Sequence, residues 1–359
     1  MLFQTIKGHE GAVDKLQTYM RNGRLSGAYL FSGPEGIGKM LTARILSQAV
    51  NCLKEDIDAC GNCDSCVKIT RGHHPDIHVI DGNSGEETAG HGMTVPDEND
   101  LLAPVKISVR SHRIEPSSGE IKIEKIRELR SQINLKPYEG KKKVFLINDA
   151  HRMTQEAADA FLKTLEESSG GNLIILVTSK PALLPRTIIS RCKEIKFSPL
   201  SPRVLESLLK QDFGLEDIPS HVLSFFAEGR IGYALQLKDT ADFIPHKNRI
   251  IDDFAVYNAG SAREGTNRGT EPEDRNEMRT MLNILAAWFR DLYVIKAGMS
   301  LEETINRDRV DDLQSQRGRY SFDDLDERMQ CISEALFLTE HNINVKLLVL
   351  HMRASLWKN

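Results

Sequence analysis

The chain has 359 residues, 40% hydrophobic and 27% charged, an ordinary globular composition with room for two or three domains. A net charge of −4 argues against a general nucleic-acid coat, while leaving room for a local basic face. No apolar run is long enough to span a bilayer and the N-terminus lacks a signal-peptide pattern, so a cytoplasmic protein with no membrane partner is expected.

Residues 8–22 place Val13, Leu16, Tyr19 and Met20 at helical spacing and predict an amphipathic packing helix. The apolar run 28–31 predicts a buried strand, and 41–50 predicts a helix. Between them lies Gly33-Pro34-Glu35-Gly36-Ile37-Gly38-Lys39-Met40, a G-x-x-x-x-G-K phosphate-binding loop in its proper strand–loop–helix context. Gly33, Gly36 and Gly38 let backbone N–H groups converge on phosphate oxygens, and Lys39 and the helix N-terminus add positive charge. The next position normally carries a Ser or Thr hydroxyl for Mg²⁺. Here it is Met40, whose thioether is a poor ligand for a hard cation. The loop is left free to take ATP, ADP, a bare phosphate or nothing, but without a competent Mg²⁺ site.

Cys52 is followed by Cys60-Gly-Asn-Cys63-Asp-Ser-Cys66, so four of the six cysteines fall within fifteen residues. In a reducing compartment this spacing reads as a metal site rather than a disulfide framework. Four thiolates close a tetrahedral structural Zn²⁺ site with no open position; an iron–sulfur cluster is the competing reading. His73 and His74 read as loop residues beside it. Residues 76–80 predict a strand. Residues 81–119, rich in Gly, Glu, Ser and Pro, predict an insertion with one hairpin pattern at 105–114. Residues 123–133 predict a helix.

Lys141, Lys142 and Lys143 read as a solvated charge run, with DNA contact as the alternative, ahead of a buried strand at 144–147. That strand ends in Asn148 and Asp149. In P-loop ATPases an acid at this strand end helps to hold Mg²⁺ and a second orients the attacking water. Asn148 is an amide, and strand alternation turns Asp149 to the other side, a second loss at the same metal. Thr154 is expected to cap a helix bearing Ala157, Phe161 and Leu165. Residues 173–177 form another buried strand that ends in Thr178 and Ser179. A short strand follows Ser190-Arg191-Cys192. Strands alternating with helices imply a mostly parallel sheet, with ligands at its carboxyl edge. From Ser198 the pattern is helical only. Ser201-Pro202, Ser220 and Ser300-Leu-Glu-Glu303 read as helix starts, a Gly/Thr/Glu-rich break covers 259–275, and Cys331 reads as an inert buried thiol.

The series GPEGIGK, the four-cysteine run, a degenerate acidic strand end, LKTLEE, a Thr-Ser strand end, LLPRTIISRC and a helical C-terminus resembles bacterial clamp loaders. These are AAA+ proteins of the DNA polymerase III holoenzyme. The resemblance is carried by residues 6–235; the last ~110 residues share only helical character. It implies an α/β AAA+ P-loop domain at 1–198 with a zinc module at 52–66. A helical lid at 199–243 and a helical collar at 244–359 would follow. Two subunit types of that family carry the cysteine finger, a gamma/tau motor and a delta prime subunit that typically lacks ATPase residues. Met40, Asn148 and Gly232, which falls where motors carry a second-sensor arginine, favour the delta prime type. The resemblance further implies a sensor-1 region at Thr178 and Ser179. Arg191 would be an arginine finger reaching a neighbour's ATP in trans, with a local salt bridge as its plainer role; Cys192 reads as packing. The implied partners are gamma/tau and delta subunits in a hetero-oligomeric ring and, through it, the sliding clamp and primer-template DNA. An active gamma/tau-type ATPase and a zinc-finger nucleic-acid-binding protein are the alternative readings.

Overall fold

The computed structural model describes residues 2–54, 57–82, 119–167, 171–239, 243–258, 272, 274–341 and 344–356. Most of the 81–119 insertion, with the hairpin expected at 105–114, and most of the 259–275 break lie outside these described residues. The chain divides into two compact units. One takes the chain through Ser201 together with Gly229–Leu235; the other takes Pro202–Glu228 and the chain from Gln236 onward.

The first unit is built on a five-stranded parallel sheet: β1 (Gly27–Ser32), β2 (Ile77–Ile80), β3 (Val144–Ile147), β4 (Leu173–Thr178) and β5 (Lys193–Lys196), in the order β2-β3-β4-β1-β5. Every residue of β3 and β4 is buried, as expected for strands covered on both faces. Period-two alternation sends Tyr29, Phe31, Ile175 and Val177 into one core and Leu30, Phe145, Ile174 and Leu176 into the other. Helices α1 (Glu10–Arg21), α2 (Lys39–Asn51) and α3 (Asp64–Thr70) cover the first face. Helices α4 (Ile123–Ile133), α5 (Gln155–Glu167) and α6 (Arg186–Ile189) cover the second. Because β4 lies between β1 and β3, with Ser32 opposite Thr178 and Ile147 opposite Leu176, the three strand ends open together at the carboxyl edge. At the sheet's rim β5 exposes Lys193, Glu194 and Lys196 and buries only Ile195.

Two of the three lysines ahead of β3 are not a solvated run. Lys142 Nζ donates to the Leu25 carbonyl (2.6 Å), and the buried Lys143 Nζ to that of Gln132 (3.2 Å). Their stems pack while the ammonium groups satisfy loop carbonyls.

The second unit is helical. Its elements are α7 (Pro202–Gln211), α8 (Asp217–Phe226), the end of α9 (Ile231–Asp239), α10 (Phe243–Asn258), α11 (Arg275–Lys296), α12 (Val310–Gln316), α13 (Phe322–Glu340) and α14 (Val345–Leu356). Helix α8 starts at Asp217, not Ser220, because Pro219 is tolerated within a first turn. Ser300 does not open a capping box: its side chain accepts from the Glu302 N–H and starts a 3-10 turn, Leu301–Glu303. The capping box stands at Ser321, whose Oγ accepts from the Asp324 N–H (3.0 Å), while Asp324 Oδ2 accepts from the Ser321 N–H (2.7 Å). Cys331 is half-buried, packed against the apolar core around Trp288 and Phe289 rather than within it.

A buried polar cluster holds the 304–308 segment against α10 and α11. The Asp291 carboxylate accepts from the backbone N–H of Ile305 (2.9 Å) and Asn306 (2.8 Å) and from Asn306 Nδ2 (2.8 Å). Lys247, fully buried on α10, donates to Asn306 Oδ1 (2.9 Å) and to Asp308 (3.0 Å), and burial lowers its pKa. Asp291→Ala would leave these buried donors unpaired. A loss of about 3–5 kcal/mol is expected, measured as a lower denaturation midpoint.

Candidate functional site

The phosphate-binding loop connects β1 to α2. Lys39 Nζ turns back to donate to the carbonyls of Gly33 (2.6 Å) and Pro34 (2.5 Å). Burial brings its ammonium pKa down to about 8, against the opposing pull of Asp149 and Glu35. The first turn of α9 closes the loop from outside. The Gly232 N–H donates to the Gly36 carbonyl (2.7 Å), and a Cβ at Gly232 would stand 2.6 Å from that oxygen. A side chain at 232, let alone a sensing arginine, is incompatible with this backbone approach. His9 braces the loop from α1, its Nε2–H donating to the Ile37 carbonyl (2.8 Å) while its ring meets Phe197 edge-on at 5.1 Å. Gly33, at φ +148°, has no room for a side chain against the Phe197 carbonyl.

Met40 packs against the core on the first sheet face. The position that would offer a hydroxyl to Mg²⁺ therefore contributes apolar packing. Strand β3 stops at Ile147, and Asp149 takes a left-handed conformation (φ 47°) that starts the 3-10 turn Ala150–Arg152. Strand alternation thus does not carry Asp149 to the far side, as the sequence suggested. It lies near enough to Lys39 to raise the lysine's pKa. Asn148 is buried, its N–H donating to the Ile80 carbonyl (2.8 Å). Thr178 ends β4 beside the loop, with Ser179 next in the chain. The Thr178 hydroxyl receives the Lys180 N–H (3.1 Å) and lies 3.1 Å from His151 Nδ1. Burial lowers the His151 pKa. Gly33, Gly36, Gly38, Lys39, Asn148, Asp149 and Thr178 thus share one edge. The sequence reading passed over His151 as a member; its place three residues after Asn148 was the available signal.

Arg191 lies on a different surface, just past α6. Its Nη2 donates to Glu166 Oε1 at the end of α5 (2.6 Å), and its Nη1 to the Thr187 carbonyl (3.1 Å). Both side chains of the ion pair are about half-exposed. Cys192 beside it packs against the core, and burial pushes its thiol up to about 12. Glu166 was within the LKTLEE string, yet nothing local in the sequence paired it with Arg191.

The four cysteines meet where α2 ends and α3 begins, their Sγ atoms all within 4.8 Å of one another and those of Cys52 and Cys63 4.0 Å apart. Zn–S bonds of about 2.3 Å would set tetrahedral sulfurs roughly 3.8 Å apart, so the donor set fits a structural ion. The Cys60 N–H points at Cys52 Sγ and the Cys63 N–H at Cys60 Sγ, both at 3.4 Å, an arrangement that stabilises thiolates. For Cys60 burial opposes ionisation. The N–H groups of Asn62 and Cys63 and the thiols of Cys52 and Cys63 outweigh it and bring the pKa to about 6. Burial drives Cys66 the other way. Cys52, Ala59 and Cys66 belong to the main core, and Asp58 fastens the N-terminal segment by accepting from the Leu2 and Phe3 N–H groups (3.1 Å each). His74 stays outside the sulfur cluster: its buried Nδ1 accepts from the Asp76 N–H (3.2 Å).

A P-loop on a parallel sheet, a four-cysteine knuckle and an appended helical unit define a protein of the nucleotide-handling α/β class. The family model described as DNA polymerase III, delta subunit, matches residues 8–201, and the chain belongs to this family of clamp-loader subunits. It is 25% identical over 335 residues to the DNA polymerase III subunit delta prime of Bacillus subtilis, covering 92% of this chain and 90% of that protein. It is 26% identical over 333 residues to the subunit tau of the same organism, covering 86% of this chain but 53% of that protein, about half its length. A solved structure of a DNA polymerase III gamma subunit-related protein from Thermotoga maritima aligns over 95% of this chain and 98% of that one. The sequence identity there is 18% and the TM-score 0.40. Among the described residues no helix is long and apolar enough to cross a membrane.

Metal analysis of the purified protein is expected to give one zinc per chain, with Cys60→Ser or Cys63→Ser lowering both zinc content and thermal stability. Iron, or no metal at all, would refute the zinc reading.

Proposed function

We propose that this chain is a delta prime-like subunit of the DNA polymerase III clamp loader. It is an AAA+ scaffold without ATPase activity of its own. The observation that carries this reading is the backbone contact at the phosphate loop: the Gly232 N–H is seated on the Gly36 carbonyl, where a side chain at 232 has no room. Met40, packed against the core, and an amide at Asn148 remove the hydroxyl and the first acid that Mg²⁺ needs. Thr178 and Ser179, as the sensor-1 region, then have no γ-phosphate of their own to read.

The productive chemistry belongs to a neighbour in the ring. Arg191 extends from the surface of the first unit, and its guanidinium is always charged and shaped for phosphate oxygens. In this reading it reaches the ATP of an adjoining gamma/tau motor subunit. There it stabilises charge on the transferring phosphoryl group, a task that in GTPases is worth about 10³–10⁵ in rate. The Cys52–Cys66 knuckle holds zinc as a structural ion. Residues 1–198, 199–243 and 244–359 act as AAA+ domain, lid and collar. Phe337, Leu347 and Leu350, exposed on α13 and α14, support a role for the last helices in joining the ring. Through gamma/tau and delta the subunit helps to load the sliding clamp on primed DNA.

An active gamma/tau-type motor is the second reading, favoured by the alignment to tau. Two measurements separate them. Isolated protein is expected to show no Mg²⁺-dependent ATP hydrolysis, and Met40→Thr is expected not to restore it; robust turnover by either protein supports the motor. In a loader reconstituted with gamma/tau and delta, Arg191→Ala is expected to lower the ATPase rate at least tenfold, with assembly intact. An unchanged rate removes the role in trans.

A further inference from the structure

We propose that Glu166 is the positioning residue of Arg191, a role that rests on reading Arg191 as the cation offered to a neighbour's nucleotide. An arginine held by one end of a long, flexible chain samples many rotamers. Here the guanidinium is pinned from two elements: one Nη2–H goes to Glu166 Oε1 at the end of α5 (2.6 Å) and one Nη1–H to the Thr187 carbonyl in α6 (3.1 Å). A guanidinium carries five N–H donors in one plane. The two anchors therefore fix the plane and leave Nε–H and the second hydrogen on each terminal nitrogen for phosphate oxygens. Cys192, packed against the core immediately after Arg191, holds the backbone from which the side chain starts.

The pair adds little to folding. Arg191 is 41% exposed and Glu166 54%, and ion pairs this wet contribute almost nothing to stability. What the carboxylate does supply is orientation. It keeps the cation extended before a neighbour arrives, so that less motion must be frozen when the phosphate is met.

The test uses the loader reconstituted with gamma/tau and delta subunits, measuring kcat and KM for ATP, assembly mass and the melting temperature of the subunit. Glu166→Ala is expected to lower kcat roughly three- to tenfold, less than Arg191→Ala, because a freed arginine still finds the phosphate part of the time. KM, mass and melting temperature should not move. Glu166→Gln, whose amide oxygen accepts the same hydrogen bond, should recover most of the rate. In the Arg191→Ala background the Glu166 change should add nothing, since it acts through the arginine. If Glu166→Ala turns over like the unaltered subunit while Arg191→Ala does not, the positioning role fails and the finger stands. If Arg191→Ala itself is without effect, the finger reading fails and takes this one with it. An additive double variant, or a lost assembly in Glu166→Ala, assigns Glu166 to something else and overturns the proposal.

Discussion

The hydrogen bond from the Gly232 N–H to the Gly36 carbonyl joins the start of α9 to the loop that follows β1, across nearly two hundred residues of chain. It is short, 2.7 Å, and forms only because neither residue carries a side chain at the contact. A main-chain bond this close ties the loop to the start of α9 and leaves no room for a side chain at 232. Lys39 Nζ donates to two loop carbonyls, those of Gly33 and Pro34. Met40 is partly buried and packs against the core on the first sheet face. The glycines that elsewhere wrap a phosphate here let two segments of the same protein wrap each other.

Met40 and Asn148 stand where a P-loop motor carries a hydroxyl and an acid. A motor must keep the loop open, its lysine outward and a hydroxyl and an acid poised around Mg²⁺. Arg191 lies on another surface, paired with Glu166, and takes no part in the loop's contacts.

Much of this was legible in the sequence where the pattern is local. Unbroken apolar runs mark the strands, and the parallel-sheet rule puts the phosphate loop and Asn148 at one edge. The cysteine spacing anticipated the sulfur cluster for the same reason: its ligands lie within fifteen residues. What stayed hidden depends on contacts between remote segments. Nothing near Lys142 points to the Leu25 carbonyl, and nothing near Arg191 points to Glu166. Alternation does not reach Asp149, which lies two residues past the end of β3 in a left-handed turn. Ser300 and Ser321 show the same limit at finer scale. Both begin cap-like strings, but only the second is followed by a full α-helix whose third residue can return the bond.

The charged rim of β5 bears on how such a sheet survives outside its assembly. A parallel sheet leaves two open borders, and an exposed border with free N–H and C=O groups is a template onto which a stray strand can add. In Lys193-Glu194-Ile195-Lys196 three of four side chains are solvent-facing charges, and an arriving hydrophobic strand would have to strip them of water. The rim thus discourages the edge-to-edge pairing that an uncharged border would invite.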